Sequence, residues 1–170
     1  MWKWDEIGMD FVTGLPRTPK GNDAIWVIID RLTKTAHFLP VRTTYNGANP
    51  LYIENVVKLH GIPSGIVSDR GTRFTSKFWK SLQEAMGTKL DFGTAYHPRT
   101  MVGRKGKSSH GRYVESVRSH LRHQAGSRPS VCEFSYNNGR QAGLGMAPFE
   151  ALYGRKCRTP RCGMKWENDP

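Results

Sequence analysis

AIWVIIDRLTKTAHFLPV, residues 24–41, is the stretch that decides the fold. It holds two apolar, β-branched or aromatic runs, Ala24 to Ile29 and Ala36 to Val41, separated by the polar connection Arg31 to Thr35. Such runs, joined by so short a link, read as adjacent antiparallel strands. Upstream, Ile7 to Val12 is another short apolar run, and Gly14 to Asp23 carries Pro16, Pro19 and Gly21, a density of turn formers that returns the chain on itself. The opening is therefore a three-stranded meander.

Working outward, the pattern changes period. Leu51, Ile53, Val56, Val57 and His60 keep a stripe at helical spacing, opened by Asn49 or Pro50 and stopped by Gly61 and Pro63. Gly65 to Ser68 is a short buried-strand pattern ending in Asp69. Thr75 opens a second helix carrying Phe78, Trp79, Leu82, Ala85 and Met86 and stopped by Gly87, and Lys89 to Ala95 reads as a further strand. Apolar patterning returns at Val131 to Tyr136, and Ala147 or Pro148 opens a last short helix through Tyr153. A meander followed by alternating helices and strands indicates an α/β mixed sheet with helices on its faces. Trp26, Phe38, Trp79 and Phe92 fall at core positions.

A chain of 170 residues, 37% hydrophobic, is long enough for one domain with its own core. The expected division is a core over residues 1–155 and a tail over 156–170. No apolar run reaches the roughly 18–20 residues that span a bilayer, and Met1 to Asp10 lacks a signal-type apolar core. Three cysteines, Cys132, Cys157 and Cys162, form neither a disulfide framework nor a tetrahedral zinc set. An intracellular protein, nuclear or cytoplasmic, is expected. The net charge of +12 calls for a polyanionic partner. Half of that charge comes from one segment: between Met101 and Ser130 seven Arg and Lys face the single acid Glu115, a net of +6. That segment is rich in Gly, Ser, Lys and Arg and breaks the order of the preceding hundred residues.

Two carboxylates stand out. Asp10 lies inside the first strand and Asp69 ends the fourth, positions that parallel pairing would set side by side. Paired carboxylates suit a hard Mg²⁺ or Mn²⁺ ion, which keeps open positions for water and phosphate. Spacing alone favours plain strand-end or capping carboxylates, and Asp30 reads as a strand-end carboxylate of that kind.

The runs WDEIGMDFV (4–12), AIWVIIDRLTKTAHFL (24–39), LHGIPSGIVSD (59–69), RFTSKFW (73–79), HPRT (97–100), EFSYNN (133–138) and GMAPFEALYGRKC (145–157) resemble the integrase core of gypsy-type long-terminal-repeat retrotransposons, as found in plants. The resemblance covers nearly all of the chain outside residues 101–130. It implies a ribonuclease-H-like fold, a five-stranded mixed sheet flanked by helices, performing 3′ processing and strand transfer of element DNA. It also implies that Asp10 and Asp69 are catalytic metal ligands. Lys34, Arg70, Arg73 and Lys77, read as flanking the Asp69 end, and His97 in the post-strand turn are the candidate DNA contacts. DNA is the expected partner, a membrane is not, and the C-terminal helices leave homo-oligomerisation open. The zinc-binding N-terminal and the DNA- or chromatin-binding C-terminal modules of a complete integrase are expected to be missing.

The third ligand in such cores is a Glu about 35 residues beyond the second Asp. Here thirty-five residues separate Asp69 from Lys105, a cation where an acid is required. A one-base frame slip at Thr100, a second near Ser108 and recovery by Val131 would account for this: with suitable codons, Met101-Val-Gly-Arg-Lys-Gly becomes Asp-Gly-Arg-Ser-Glu-Arg, close to the family motif. Arg104, Lys105 and Lys107 would repel a divalent cation. The expectation is a degenerate integrase core with weakened or absent metal binding and no catalysis. A domesticated nucleic-acid- or protein-binding module, or a retroelement remnant without function, are the alternatives.

Overall fold

Three strands follow one another as the meander requires: β1 (Glu6–Val12), β2 (Ala24–Asp30) and β3 (Ala36–Val41). β1 pairs antiparallel with β2 from Ile7 opposite Asp30 to Val12 opposite Ile25, and β2 pairs antiparallel with β3 from Ala24 opposite Val41 to Ile29 opposite Ala36. The computed structural model describes residues 2–44, 48–72, 74–92 and 129–157. Within them α1 (Ala48–Tyr52), a π-helical turn (Ile53–Val57) and α2 (Lys58–His60) run on without interruption. Gly61, at φ 90° in the left-handed region that glycine tolerates, ends this helix where the sequence places its stop.

β4 (Gly65–Ser68), α3 (Lys77–Ala85) and β5 (Lys89–Phe92) follow, then α4 (Pro129–Asn138) and α5 (Pro148–Tyr153). The sheet order is β3-β2-β1-β4-β5, with β4 parallel to both β1 and β5. This is the five-stranded mixed sheet expected. Residues 93–95 of the anticipated last strand and residues 101–128 of the basic segment lie outside the described residues.

Strand alternation separates two apolar layers. Ile7, Met9, Trp26, Ile28 and Ile66 pack with Tyr52, Val56, Phe74 and Trp79 on one face, while Val12, Val27, Ile29 and Phe38 meet Cys132 and Tyr136 of α4 on the other. β2 is buried along its whole length, as befits a strand covered on both sides. Of the four aromatics assigned to the core, Trp26, Phe38 and Trp79 are buried; Phe92 is half-buried beneath the ammonium of Lys80, 5.7 Å from its ring centre.

Two details of α3 differ from the sequence reading. Its first residue is Lys77 rather than Thr75, because the Ser76 hydroxyl caps the helix by accepting the Trp79 N–H, and Thr75 turns its hydroxyl back to the Gly71 carbonyl. Phe78 is exposed, whereas Gln83 is fully buried. The inward stripe is Trp79, Leu82, Gln83 and Met86, spaced i, i+3, i+4, i+7, which leaves Phe78 off its edge.

β3 is an edge strand, and α4 covers that edge with side chains. Asn137 accepts the Ala36 N–H and donates to the Ala36 carbonyl, both at 2.9 Å, and Glu133 accepts the Phe38 N–H at 2.9 Å. Two side chains one helical turn apart thus fill hydrogen-bonding positions that another strand would take.

Candidate functional site

The parallel pairing of β1 with β4 fixes where the two singled-out carboxylates stand. Glu6 lies opposite Gly65 and the register runs to Met9 opposite Ser68. One step further brings Asp10 and Asp69 to neighbouring positions at the centre of the sheet. Asp10 is 7% exposed and shares the α4 face of β1 with Val12; its Oδ1 accepts the Phe11 N–H at 2.8 Å. Asp69 is exposed, just past β4, and its Oδ1 accepts the Gly71 N–H at 3.0 Å. A Cβ on Gly71 would lie 2.9 Å from that oxygen, so a larger residue there would make the exposed carboxylate swing aside. The turn is held further on by the Gly71 carbonyl, which accepts the backbone N–H groups of Phe74 and Thr75.

This donor set, two carboxylates on adjacent parallel strands, has the hard oxygen chemistry that suits a divalent cation. Among the described residues no third His, Cys, Asp or Glu joins them. Lys105 and Glu115 lie outside those residues, as do Arg73 and His97.

The candidate DNA contacts divide. Arg70 follows Asp69 directly and Lys77 opens α3; both are exposed. Lys34 does not flank the Asp69 end. It sits in the β2–β3 turn beyond Asp30, which pairs with Ile7, so it belongs to the opposite end of β1 from Val12. Three strand residues, roughly 10 Å, separate Ile7 from Asp10. The Lys34 backbone is in the left-handed region (φ 64°), and its ammonium donates to the Arg31 carbonyl. Burial, and then the neighbouring Arg31, lower its pKa, so Lys34 is a turn residue with its charge partly withdrawn from solvent.

Asp30 keeps its bland reading. It is fully buried at the end of β2, where one oxygen accepts the Leu32 N–H and the other accepts both the N–H and the hydroxyl of Thr33. A second polar cluster, His37, His60 and Glu133, escapes the sequence reading. Each lies within one of the quoted runs, but the three are far apart in the chain and only the fold brings them together.

A mixed sheet in this strand order with helices on both faces is the ribonuclease-H-like architecture of integrase catalytic cores. The chain aligns at TM-score 0.61 and 18% identity with the catalytic core domain of BIV integrase, covering 86% of this chain and 92% of that one. It aligns at TM-score 0.58 and 10% identity with the HTLV-2 integrase catalytic core domain, solved in complex with magnesium in a trimeric form, covering 87% and 95% respectively. In sequence it is 28% identical over 159 residues to the Transposon Tf2-3 and Tf2-4 polyproteins of Schizosaccharomyces pombe. No protein-family model matches it. The chain is thus similar in sequence to retrotransposon polyproteins and shares the fold of integrase catalytic cores. The alignment takes in 88% of this chain but only 11% of each polyprotein.

Proposed function

We propose that this chain is a retroelement integrase core, a domain shaped for metal-dependent polynucleotidyl transfer into DNA, in a copy that no longer catalyses it. The observation that carries the reading is the β1–β4 register, which sets Asp10 beside Asp69 on strands of a ribonuclease-H-like sheet. The magnesium in the HTLV-2 core supports Mg²⁺ or Mn²⁺ as the ion, and its trimeric form supports self-association.

In this reading Asp10 and Asp69 hold the metal, and Gly71 keeps the Asp69 carboxylate turned by its N–H. A divalent ion held by these two carboxylates would supply activation of the attacking oxygen and stabilisation of the leaving one. Arg70 and Lys77, with Arg73 between them in sequence and His97 of the HPRT run, are the residues to contact the phosphate backbone and orient it. Catalysis fails for want of a third carboxylate, because Lys105 stands at the spacing where the resemblance requires Glu.

Strand transfer on element-end DNA with Mn²⁺ should give no product. Robust turnover that disappears in both Asp10→Asn and Asp69→Asn would overturn the inactivity and leave the ancestry standing. Calorimetric titration with Mn²⁺ tests the site itself: weak binding, abolished by either substitution, is expected, and binding indifferent to both would remove these residues from it. Genomic sequence across Thr100 to Val131 tests the origin of the lost acid. If no shifted frame encodes Asp-Gly-x-Ser-Glu-Arg, the frame slip is wrong.

A further inference from the structure

On the far side of β3 from the paired aspartates' strands, three titratable side chains from three elements meet in line. Glu133 of α4 faces His37 of β3, with Oε1 3.1 Å from Nδ1. The other nitrogen of His37, Nε2, stands 2.9 Å from Nε2 of His60 at the end of α2. The two ring centres are 5.2 Å apart, about one ring width more than the nitrogen separation, and the planes differ by 27°. The nitrogens therefore face each other head-on. A chelated metal ion would need both lone pairs to converge on a point between them with room for its own radius; a head-on pair at hydrogen-bond distance holds a proton.

The donor assignment follows from the carboxylate. Glu133 only accepts, so His37 donates from Nδ1 and presents the bare Nε2 lone pair, to which His60 donates from its Nε2. Glu133 is itself fixed, its second oxygen accepting the Phe38 N–H. Trp4 covers the pair, its ring centre 3.9 Å from that of His60 with the planes parallel, and 5.0 Å from that of His37. Trp4 holds φ 61°, an unusual backbone conformation for a bulky residue, so local strain accompanies its place over the imidazoles. A cleft of about 350 Å³, rimmed by Phe134, Phe149 and Tyr153, gives protons access to the pair.

We propose that Glu133, His37 and His60 form a proton-operated latch that is closed while one proton lies between the two imidazoles and opened when both facing nitrogens are protonated, so that acidification loosens α2 from β3 while Glu133 keeps its hold on His37. The pair tolerates one added charge, since an imidazolium beside Glu133 can still share its proton with a neutral partner. A second charge puts N–H against N–H. Burial first, then the adjacent His37, push His60 down to about 4, while Asp30 from β2 acts the other way and more weakly. Opening thus belongs to the window below the ordinary histidine range.

Nitrogen-detected NMR on the full chain at pH 7.5 should find His37 protonated at Nδ1 and His60 at Nε2; the opposite tautomer at His37 would overturn the latch. Hydrogen exchange across residues 53–60, corrected for intrinsic rates, should show protection falling by about tenfold or more between pH 7 and pH 4.5. In His60→Gln, whose amide can still donate to His37 but does not titrate, protection should persist and this pH dependence should flatten. Unchanged pH dependence in that variant, or none in the wild type, would refute the proposal. Should His60→Gln fail to fold, the wild-type tautomers and exchange profile still decide it.

Discussion

Single side chains carry two different kinds of carboxylate here, and substitution should tell them apart. Asp30 is fully buried and accepts from Leu32 and Thr33, with the Thr33 hydroxyl in turn 2.8 Å from that of Thr35. Asp30→Asn turns an acceptor into a donor facing donors, and a buried unsatisfied group costs about 1–3 kcal/mol. Urea denaturation should show a loss of that size, whereas Asp69→Asn, at an exposed position, should move the midpoint by less than about 0.5 kcal/mol. A smaller loss at Asp30 than at Asp69 would reverse the assignment of roles. That Asp10 and Asp69 stand near each other was legible at this scale because each sits in or against an apolar run, so strand position alone brought them to one register. Lys34 was misplaced because nothing in its own run tells which end of the sheet the β2–β3 turn occupies. The antiparallel turn carries it to the other end of the sheet.

At the scale of elements, the strands were legible almost to the residue, since β-branched runs bounded by turn formers admit few alternatives. Helix detail was less so. Hydropathy favours Phe78 over Gln83 as the inward residue, but Trp79 packs into the core and Gln83, one turn further on, goes inside with it. The π-helical turn at Ile53–Val57 leaves no mark in a stripe that 3.6-residue spacing already explains. Neither could the sequence show that α4 closes the β3 edge, because that depends on contacts between residues a hundred positions apart. Asn137→Ala should strip the Ala36 N–H and carbonyl of their partner. The expected cost is about 1–2 kcal/mol in denaturation, with greater self-association by light scattering as the edge becomes available. Loss of stability without any rise in association would leave Asn137 as a tether and not a guard of the edge.

For the molecule as a whole, acid response divides into two windows with separate causes. Folding holds His60 at about 4 against an ordinary value of 6.5, so between these limits the unfolded chain binds more protons than the folded one. Stability then falls as pH drops from about 6.5 to about 4, and levels off for this group once the folded form is protonated too. Asp23 acts lower down. Its carboxylate is held below 3.8 first by the Thr43 N–H and then by the Thr43 hydroxyl, so its contribution is present above 3.8 and fades as pH falls through the depressed value. A series of urea midpoints from pH 7.5 to pH 3 should therefore show an upper slope that His60→Gln flattens and Asp23→Asn leaves in place. Because Asp23 is only partly buried and its partner Thr43 is exposed, the lower step should be the smaller. An upper slope that survives His60→Gln would mean that other groups govern acid unfolding, and that the junction of β3, α2 and α4 does not sense the proton.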